Sequence, residues 1–441
     1  MTIQCRQMKP GFLTRIQGAI LLLLFVFCCR EGTAQKNFIK VVGHQFIQND
    51  NKNYYFTGAN FWHAATLGIM NANDATRVRL IKELDFLKNQ GITNLRVMTA
   101  VEGRGLINGV KRVQPALQVA AGVFDDRLLT GIDFLLSEMA KRNMKAVLYL
   151  SNNWEWSGGF LQYVNWFGLV PDSTLQRKLS WDEQKKMTSQ FYSCQPCKDA
   201  YLKQVHYIIN RENTISRKKY KDDPTIMAWQ LANEPRPMLA EADQHYANWI
   251  EEAADYIKKL DKNHLVSIGH EGYMGTDGDL KLYEKIHASK NIDYLTIHIW
   301  AKNWSWFSED RMQYAFDSIK TKALRYIKVH QAISHKLNKP LVIEEFGLPR
   351  DNHAYSPHAT TRLRDRYFEE ILNIFDNSKR SKGNIAGVNF WAFGTAQTVV
   401  PGHIFWKDGD DYTGDPPMEE QGLNTVFDTD ASTWKLLKKY K

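Results

Sequence analysis

The sequence predicts an α/β protein, a (β/α)8 (TIM) barrel occupying one domain from residue 35 to residue 441. Three observations support this. From about Gln35 onward, apolar strand-like runs alternate with amphipathic helical stretches, eight of each. The strand runs are near-continuous in hydrophobicity rather than alternating, as expected of strands buried on both faces. No glycine-rich phosphate loop follows the first strand, which disfavours an open doubly wound sheet.

Taken in order, the strands are expected at 53–60, 94–99, 145–151, 225–234, 265–271, 293–298, 341–347 and 385–393. The helices are expected at 74–90, 125–143, 199–213, 241–261, 279–288, 309–337, 360–378 and 431–440. Gly91 directly after the first helix is a stop signal, because glycine accepts the left-handed conformation at a helix end. No Ser/Gly/Pro linker, low-complexity tract or repeat divides the span.

Composition is that of a folded chain with a sizeable core: 44% hydrophobic and 24% charged residues. The 13 Trp are flat apolar faces suited to stacking on sugar rings as well as to packing. The net charge of +9 does not indicate a nucleic-acid partner, because Lys and Arg are scattered among acids rather than gathered in a stripe with interleaved aromatics. Residues 1–34 read as a removed export signal. Lys9 and Arg15 precede an apolar run at 19–29, and Gly32-Thr33-Ala34 supplies small residues for cleavage. That run is shorter than the ~20 residues a membrane span needs, and no other segment qualifies. Phe-Val-Phe before Cys28 and Cys29 is a poor context for lipid anchoring. The expected destination is therefore the cell exterior, the periplasm or the cell surface.

Of five cysteines, only Cys194 and Cys197 lie outside the signal. Their Cys-Gln-Pro-Cys spacing fits a redox motif, half a zinc site or a local disulfide. No second cysteine pair or histidine cluster at ligand spacing completes a metal site, so a loop disulfide is expected in an exported protein.

Chemistry concentrates at the carboxyl ends of the strands, where barrels of this kind place functional groups. Trp229-Gln230-Leu231-Ala232 runs into Asn233-Glu234-Pro235-Arg236, and Leu341-Val342-Ile343 runs into Glu344-Glu345-Phe346-Gly347. Pro235 is expected to hold Glu234 extended and so to aim its side chain. Arg96, Asn152-Asn153-Trp154, His298 with Trp300, and Trp391 end other strands on the same face. Two carboxyls about 5 Å apart suffice for glycoside hydrolysis with retention, one as acid/base and one as nucleophile. Their pKa values must then diverge, the acid protonated and the nucleophile ionised. Arg96 is placed to keep the nucleophile charged, Asn233 to meet a sugar hydroxyl, and His298 to hydrogen-bond substrate or Glu234.

At these residues the chain resembles the clan of retaining (β/α)8 glycosidases, within it glycoside hydrolase family 5, and specifically the endo-β-1,4-mannanase branch. Asn233-Glu234-Pro235 resembles the clan's acid/base signature, and Glu345-Phe346-Gly347 its nucleophile signature. Longer matches are Ser151-Asn152-Asn153-Trp154 with Gly158-Gly159, the stretch from Asp222 to Arg236, and that from Leu260 to Val266 with Gly272. The closing segment, Gln421-Gly422-Leu423 with Val426 to Asp430, matches as well. The resemblance implies Glu234 as acid/base and Glu345 as nucleophile, with Arg96, Asn233, His298 and Trp391 around the reacting sugar. Glu344 is expected to face away from the site, since a strand alternates its sides. One departure stands out: Trp300 occupies the position of a family tyrosine that hydrogen-bonds the nucleophile, and an indole N–H donates but cannot accept. Trp62, Trp154, Trp156, Trp304 and Trp306 are candidates for outer subsites.

The function implied is endo-acting hydrolysis of β-1,4-mannosidic bonds in mannan, glucomannan or galactomannan, by a monomer without cofactor or metal. A β-1,4-glucanase or an exo-β-mannosidase would use the same scaffold. The segments at 156–197 and 395–421 are long enough to close one end of a cleft for exo action. A silent glycan-binding protein would keep the tryptophans and lose a carboxylate; both carboxylates are present.

Overall fold

The computed structural model describes residues 38–48, 51–71 and 74–440; the expected export signal lies outside them. Eight strands form one parallel sheet: β1 (Phe56–Asn60), β2 (Asn94–Met98), β3 (Lys145–Tyr149), β4 (Ile226–Gln230), β5 (Leu265–Ser267), β6 (Leu295–Ile299), β7 (Leu341–Phe346) and β8 (Ile385–Phe390). Their order is β5-β4-β3-β2-β1-β8-β7-β6. The seam between β5 and β6 is closed by Asp293 N–H to the Val266 carbonyl (2.8 Å) and His298 N–H to the Glu271 carbonyl (2.9 Å). The sheet is thus a barrel. Every residue of β1, β2, β4, β6, β7 and β8 is buried, which is why these strands read as continuous apolar runs.

Helices α1 (Ala75–Gln90), α2 (Arg127–Lys141), α3 (Gln195–Ile209), α4 (Asp243–Leu260), α5 (Leu280–His287), α6 (Met312–Leu337), α7 (Arg362–Ser381) and α8 (Ala431–Lys438) follow the strands in turn. Each buries one stripe. In α7 the stripe is Arg364, Tyr367, Phe368, Ile371, Leu372 and Phe375, spaced three and four apart. Gly91 ends α1 at φ 93°, the left-handed stop its position in the sequence predicts. An antiparallel three-stranded piece, Lys40–Val42, Gln45–Gln48 and Lys52–Asn53, caps the amino-terminal mouth. Its Phe46 joins Phe56, Val147, Met227, Tyr294 and Val342 in a separate apolar cluster.

Two boundaries and one backbone conformation that bear on the site differ from expectation. Helix α3 starts at Gln195 rather than 199, because Pro196 fits the first helical turn and the Cys194 sulfur accepts the Cys197 N–H. Cys194 and Cys197 are joined as a disulfide at that turn. Strand β4 stops at Gln230 instead of 234. Glu234 itself has φ 48°, a left-handed and not an extended backbone. Its N–H is held by the Gly269 carbonyl at 2.9 Å and Asn233 N–H by Ser151 at 2.9 Å. These cross-strand bonds, rather than Pro235, fix its aim.

The segment between β3 and α3 carries three short helices, Gly159–Trp166, Asp172–Leu175 and Trp181–Thr188. Phe160 and Phe191 of this segment pack on Trp249 of α4, with centroids 5.3 and 5.7 Å away. The segment after β8 is tied down by buried Asp415, which accepts the N–H groups of Gly422 (2.9 Å), Asn424 (3.2 Å) and Thr425 (3.1 Å).

Candidate active site

Arg96, fully buried at the end half of β2, organises the carboxyl-terminal mouth. Its Nε donates to Gln230 (2.8 Å), one terminal nitrogen to Asn60 (3.2 Å) and Glu345 (2.5 Å), and the other to Asn233 (2.8 Å). One planar cation therefore reaches β1, β7 and the exit of β4 together. Trp300 Nε1 donates to the other oxygen of Glu345 at 3.0 Å, the single bond an indole can supply. Gly347 makes room for it, since a Cβ there would lie 3.0 Å from the Trp300 ring. Glu234 receives His298 Nδ1 on one oxygen (2.6 Å) and Trp154 Nε1 on the other (2.6 Å). Single ligand-type atoms of Glu234, His298 and Glu345 lie within 4.8 Å of one another. Arg96 already sits against this group, and its charge opposes a metal cation there.

These groups open onto a cleft of about 430 Å³ whose walls include Trp154, Asn233, Glu234, Trp300, Glu345 and Trp391. Trp156 and Trp304 also reach it. Trp62 does not: it is wholly buried, donates to the Gly414 carbonyl (2.9 Å) and packs on Trp156 and Tyr412, so it braces loops. Trp306 stacks edge-on against Trp304 outside the cleft lining. Glu344 does not face away as strand alternation predicts. It lies beneath the site, accepting Gln230 Nε2 (2.6 and 2.7 Å) and facing Arg96 (3.4 Å) and His298 (3.6 Å). A register shift between Ile297 and His298, where β6 pairs β7, breaks the alternation. It does not line the cleft.

Two cations, Arg96 and His298, thus face three carboxylates. Burial opposes charge on His298, but the charges of Glu345, Glu234 and Glu344 raise its pKa to about 9. Burial also opposes charge on Glu234, yet His298 and Trp154 N–H groups and the charge of Arg236 bring it down to about 2. Burial, reinforced by the charge of Glu234, pushes Glu345 up to about 7 against His298 and Arg96. In the substrate-free site the ordering is therefore opposite to the expected acid and nucleophile roles. The two carboxyls interact strongly and titrate as a pair.

Sequence reasoning missed several members. Arg236, two residues after Glu234, pairs with Glu271 by two bonds (2.5 and 2.8 Å) and lies over the Trp154 ring at 5.0 Å. Glu271 sits just past β5, a strand-end position that could have flagged it. Burial raises its pKa to about 7, against Arg236. Glu419 and Met418 enter the cleft from the segment after β8. Burial and the charge of Asp415 raise Glu419 to about 8. No local signal marks a residue in so irregular a loop. Gln230, inside an apolar strand, holds Arg96 and Glu344 in register.

A family model described as GH family 5 beta-mannosidase-like matches residues 36–441. The chain belongs to this family. Mannan endo-1,4-beta-mannosidase 4 of Solanum lycopersicum is 31% identical over 388 residues, covering 85% of this chain and 87% of that protein. Mannan endo-1,4-beta-mannosidase 1 of Oryza sativa is 28% identical, covering 84% and 81%. Among solved structures, the glycoside hydrolase family 5 mannosidase of Rhizomucor miehei superposes with TM-score 0.81 at 30% identity, covering 92% of this chain and 97% of that one, in a complex with mannosyl-fructose. The endo-1,4-beta-mannanase of the same organism gives TM-score 0.64 at 24% identity, covering 91% and 98%, a likeness of fold. This family 5 glycoside hydrolase accordingly carries its two strand-end glutamates on the family's (β/α)8 barrel.

Proposed function

We propose that this protein hydrolyses internal β-1,4-mannosidic bonds of mannan-type polysaccharides by double displacement, with retention and without a cofactor. The observation behind this reading is the approach of Glu234 and Glu345 to within 4.8 Å across one tryptophan-walled cleft. Facing oxygens that close fit the ~5–5.5 Å carboxyl separation of a retaining pair better than the ~6.5–9.5 Å that leaves room for an inverting enzyme's water.

In the first step a Glu345 oxygen bonds to the anomeric carbon. The glycosidic bond breaks with its electron pair on the departing oxygen, which takes the proton of Glu234. Substrate binding must raise the Glu234 carboxyl from its level in the empty site, because only the neutral acid can donate to the departing oxygen. His298 and Trp154 N–H groups then stabilise the carboxylate left behind, which makes Glu234 a strong donor. In the second step Glu234 removes a proton from water, the water oxygen bonds to the anomeric carbon, and Glu345 departs as carboxylate beside Arg96 and Trp300. Trp391, whose Nε1 has no partner among the described residues, faces the same cleft with its ring at right angles to Trp300.

A second reading, exo-β-mannosidase action, is favoured by Met418 and Glu419 projecting into the cleft from the loop after β8. It is favoured too by the higher superposition on a structure named a mannosidase. Incubating the protein with mannan, glucomannan and cellulose and sizing products over time separates the readings. Early mixed oligosaccharides support endo action, early mannose alone supports exo action, and cleavage of cellulose only rejects both. Residues 1–34 act in this reading as an export signal and 35–441 as a single catalytic domain. Among the described residues no helix is long and apolar enough to cross a membrane.

A further inference from the structure

Trp181 has no part in the chemistry above, yet its position is hard to attribute to folding. It opens the short helix Trp181–Thr188 in the segment between β3 and α3, and is 46% exposed. That helix is already secured by a capping box, in which Ser180 and Glu183 satisfy each other's backbone N–H, and so does not need the indole as an anchor. The indole instead stands beside Trp154, with ring centroids 6.2 Å apart and planes at 31°. Trp154 in turn donates to Glu234, the group that serves the departing oxygen.

Beyond Trp181 the cleft does not end. A second depression of about 280 Å³ shares Trp181 and Arg236 with the first and continues along Lys185, Met238 and Asp243. Glu345, Trp300 and the Glu419 loop occupy the other cleft. The path past Trp154 and Trp181 therefore leads away from the nucleophile on the acid's side. Lys185 Nζ stands 5.9 Å over one side of the Trp181 ring, and an aromatic face in a polar-rimmed groove is the surface that stacks on the apolar face of a sugar ring.

We propose that Trp181 is a specificity-determining platform for the leaving-group portion of the substrate, stacking on a sugar beyond the one attached at the cleaved bond. This rests on the glycosidase reading above and adds to it the residue that holds the second sugar of the departing portion. The same platform would receive a carbohydrate acceptor when the glycosyl group is transferred to sugar instead of water.

The test uses β-1,4-mannopentaose labelled at its reducing end, with the full mature chain and its Trp181→Ala and Trp181→Phe variants. For Trp181→Ala we expect KM to rise about tenfold, the worth of one aromatic stacking contact. We also expect the labelled product to shift from oligosaccharide towards single labelled mannose, with Trp181→Phe restoring the wild-type pattern. An unchanged cleavage pattern and KM, or an equal fall in kcat at every bond, overturns the proposal. A wild-type protein that leaves mannopentaose intact while cutting another β-glycan overturns the substrate reading instead.

Discussion

At the scale of single residues, the site is governed by a shortage of cations. Arg96 and His298 serve Glu234, Glu344 and Glu345, so removing either glutamate that lines the cleft changes the charge balance as well as the chemistry. Glu345→Gln should lower kcat on mannan by more than ~10³-fold, as loss of a nucleophile does, with a circular dichroism spectrum like that of the parent. Activity retained near the parent level would reassign the nucleophile. Glu234→Gln should cost ~10²–10⁴-fold, the usual worth of a general acid, and less on substrates with an activated aryl leaving group that needs no proton. Part of the pH dependence follows from His298, in the same direction as that of the raised Glu345, Glu271 and Glu419 carboxyls. The folded pKa of His298, about 9, stands above the ordinary value of 6.5, so its ion pairs contribute stability that is complete below about 6.5 and lost as pH rises through about 9. Thermal melts should show the midpoint falling across that window, and His298→Asn should flatten the fall. A midpoint that rises from pH 6.5 to 9 in the parent would contradict this account.

At the scale of elements, loops rather than strands shape the cleft. Asp415 is buried and holds the segment after β8 through three backbone N–H groups and the Thr425 hydroxyl (2.6 Å). Asp415→Ala should cost about 1–3 kcal/mol in urea unfolding, because those donors lose their acceptor inside the protein. It should also alter KM, since Met418 and Glu419 lie on the held segment. An unaltered KM together with full destabilisation would mean the loop's seat in the cleft does not depend on this anchor. Elements were the most legible feature of the sequence where periodicity is strong: α7, β2 and β7 fall within a few residues of expectation. They were least legible where tertiary bonds override local preference, as at the exit of β4. There Gly269 and Ser151 impose on Glu234 a left-handed backbone that a residue preceding proline normally avoids.

At the scale of the whole molecule, the barrel has two ends with different duties. The carboxyl-terminal mouth spends its polar groups on the site, while the amino-terminal mouth is sealed by an apolar cluster around Phe46, which is 1% exposed. Phe46→Ala should therefore lower stability by about 3–5 kcal/mol, through lost transfer energy and the cavity left behind, without changing the pH profile or KM of the remaining folded enzyme. A measured loss below about 1 kcal/mol would mean the cap is dispensable. The sequence by itself determined the barrel, the family resemblance and the pair of glutamates, because burial on both strand faces and acids at strand ends leave direct marks on local composition. It placed Arg96, His298 and Trp300 at the mouth for the same reason. Only the tertiary structure decided that Glu344 lies under the site, that Trp62 is a brace, and that Arg236, Glu271, Glu419 and Trp181 belong to the cleft region. Those positions depend on cross-strand bonding and on where long loops come to rest, and such distant contacts leave no periodic trace in the chain.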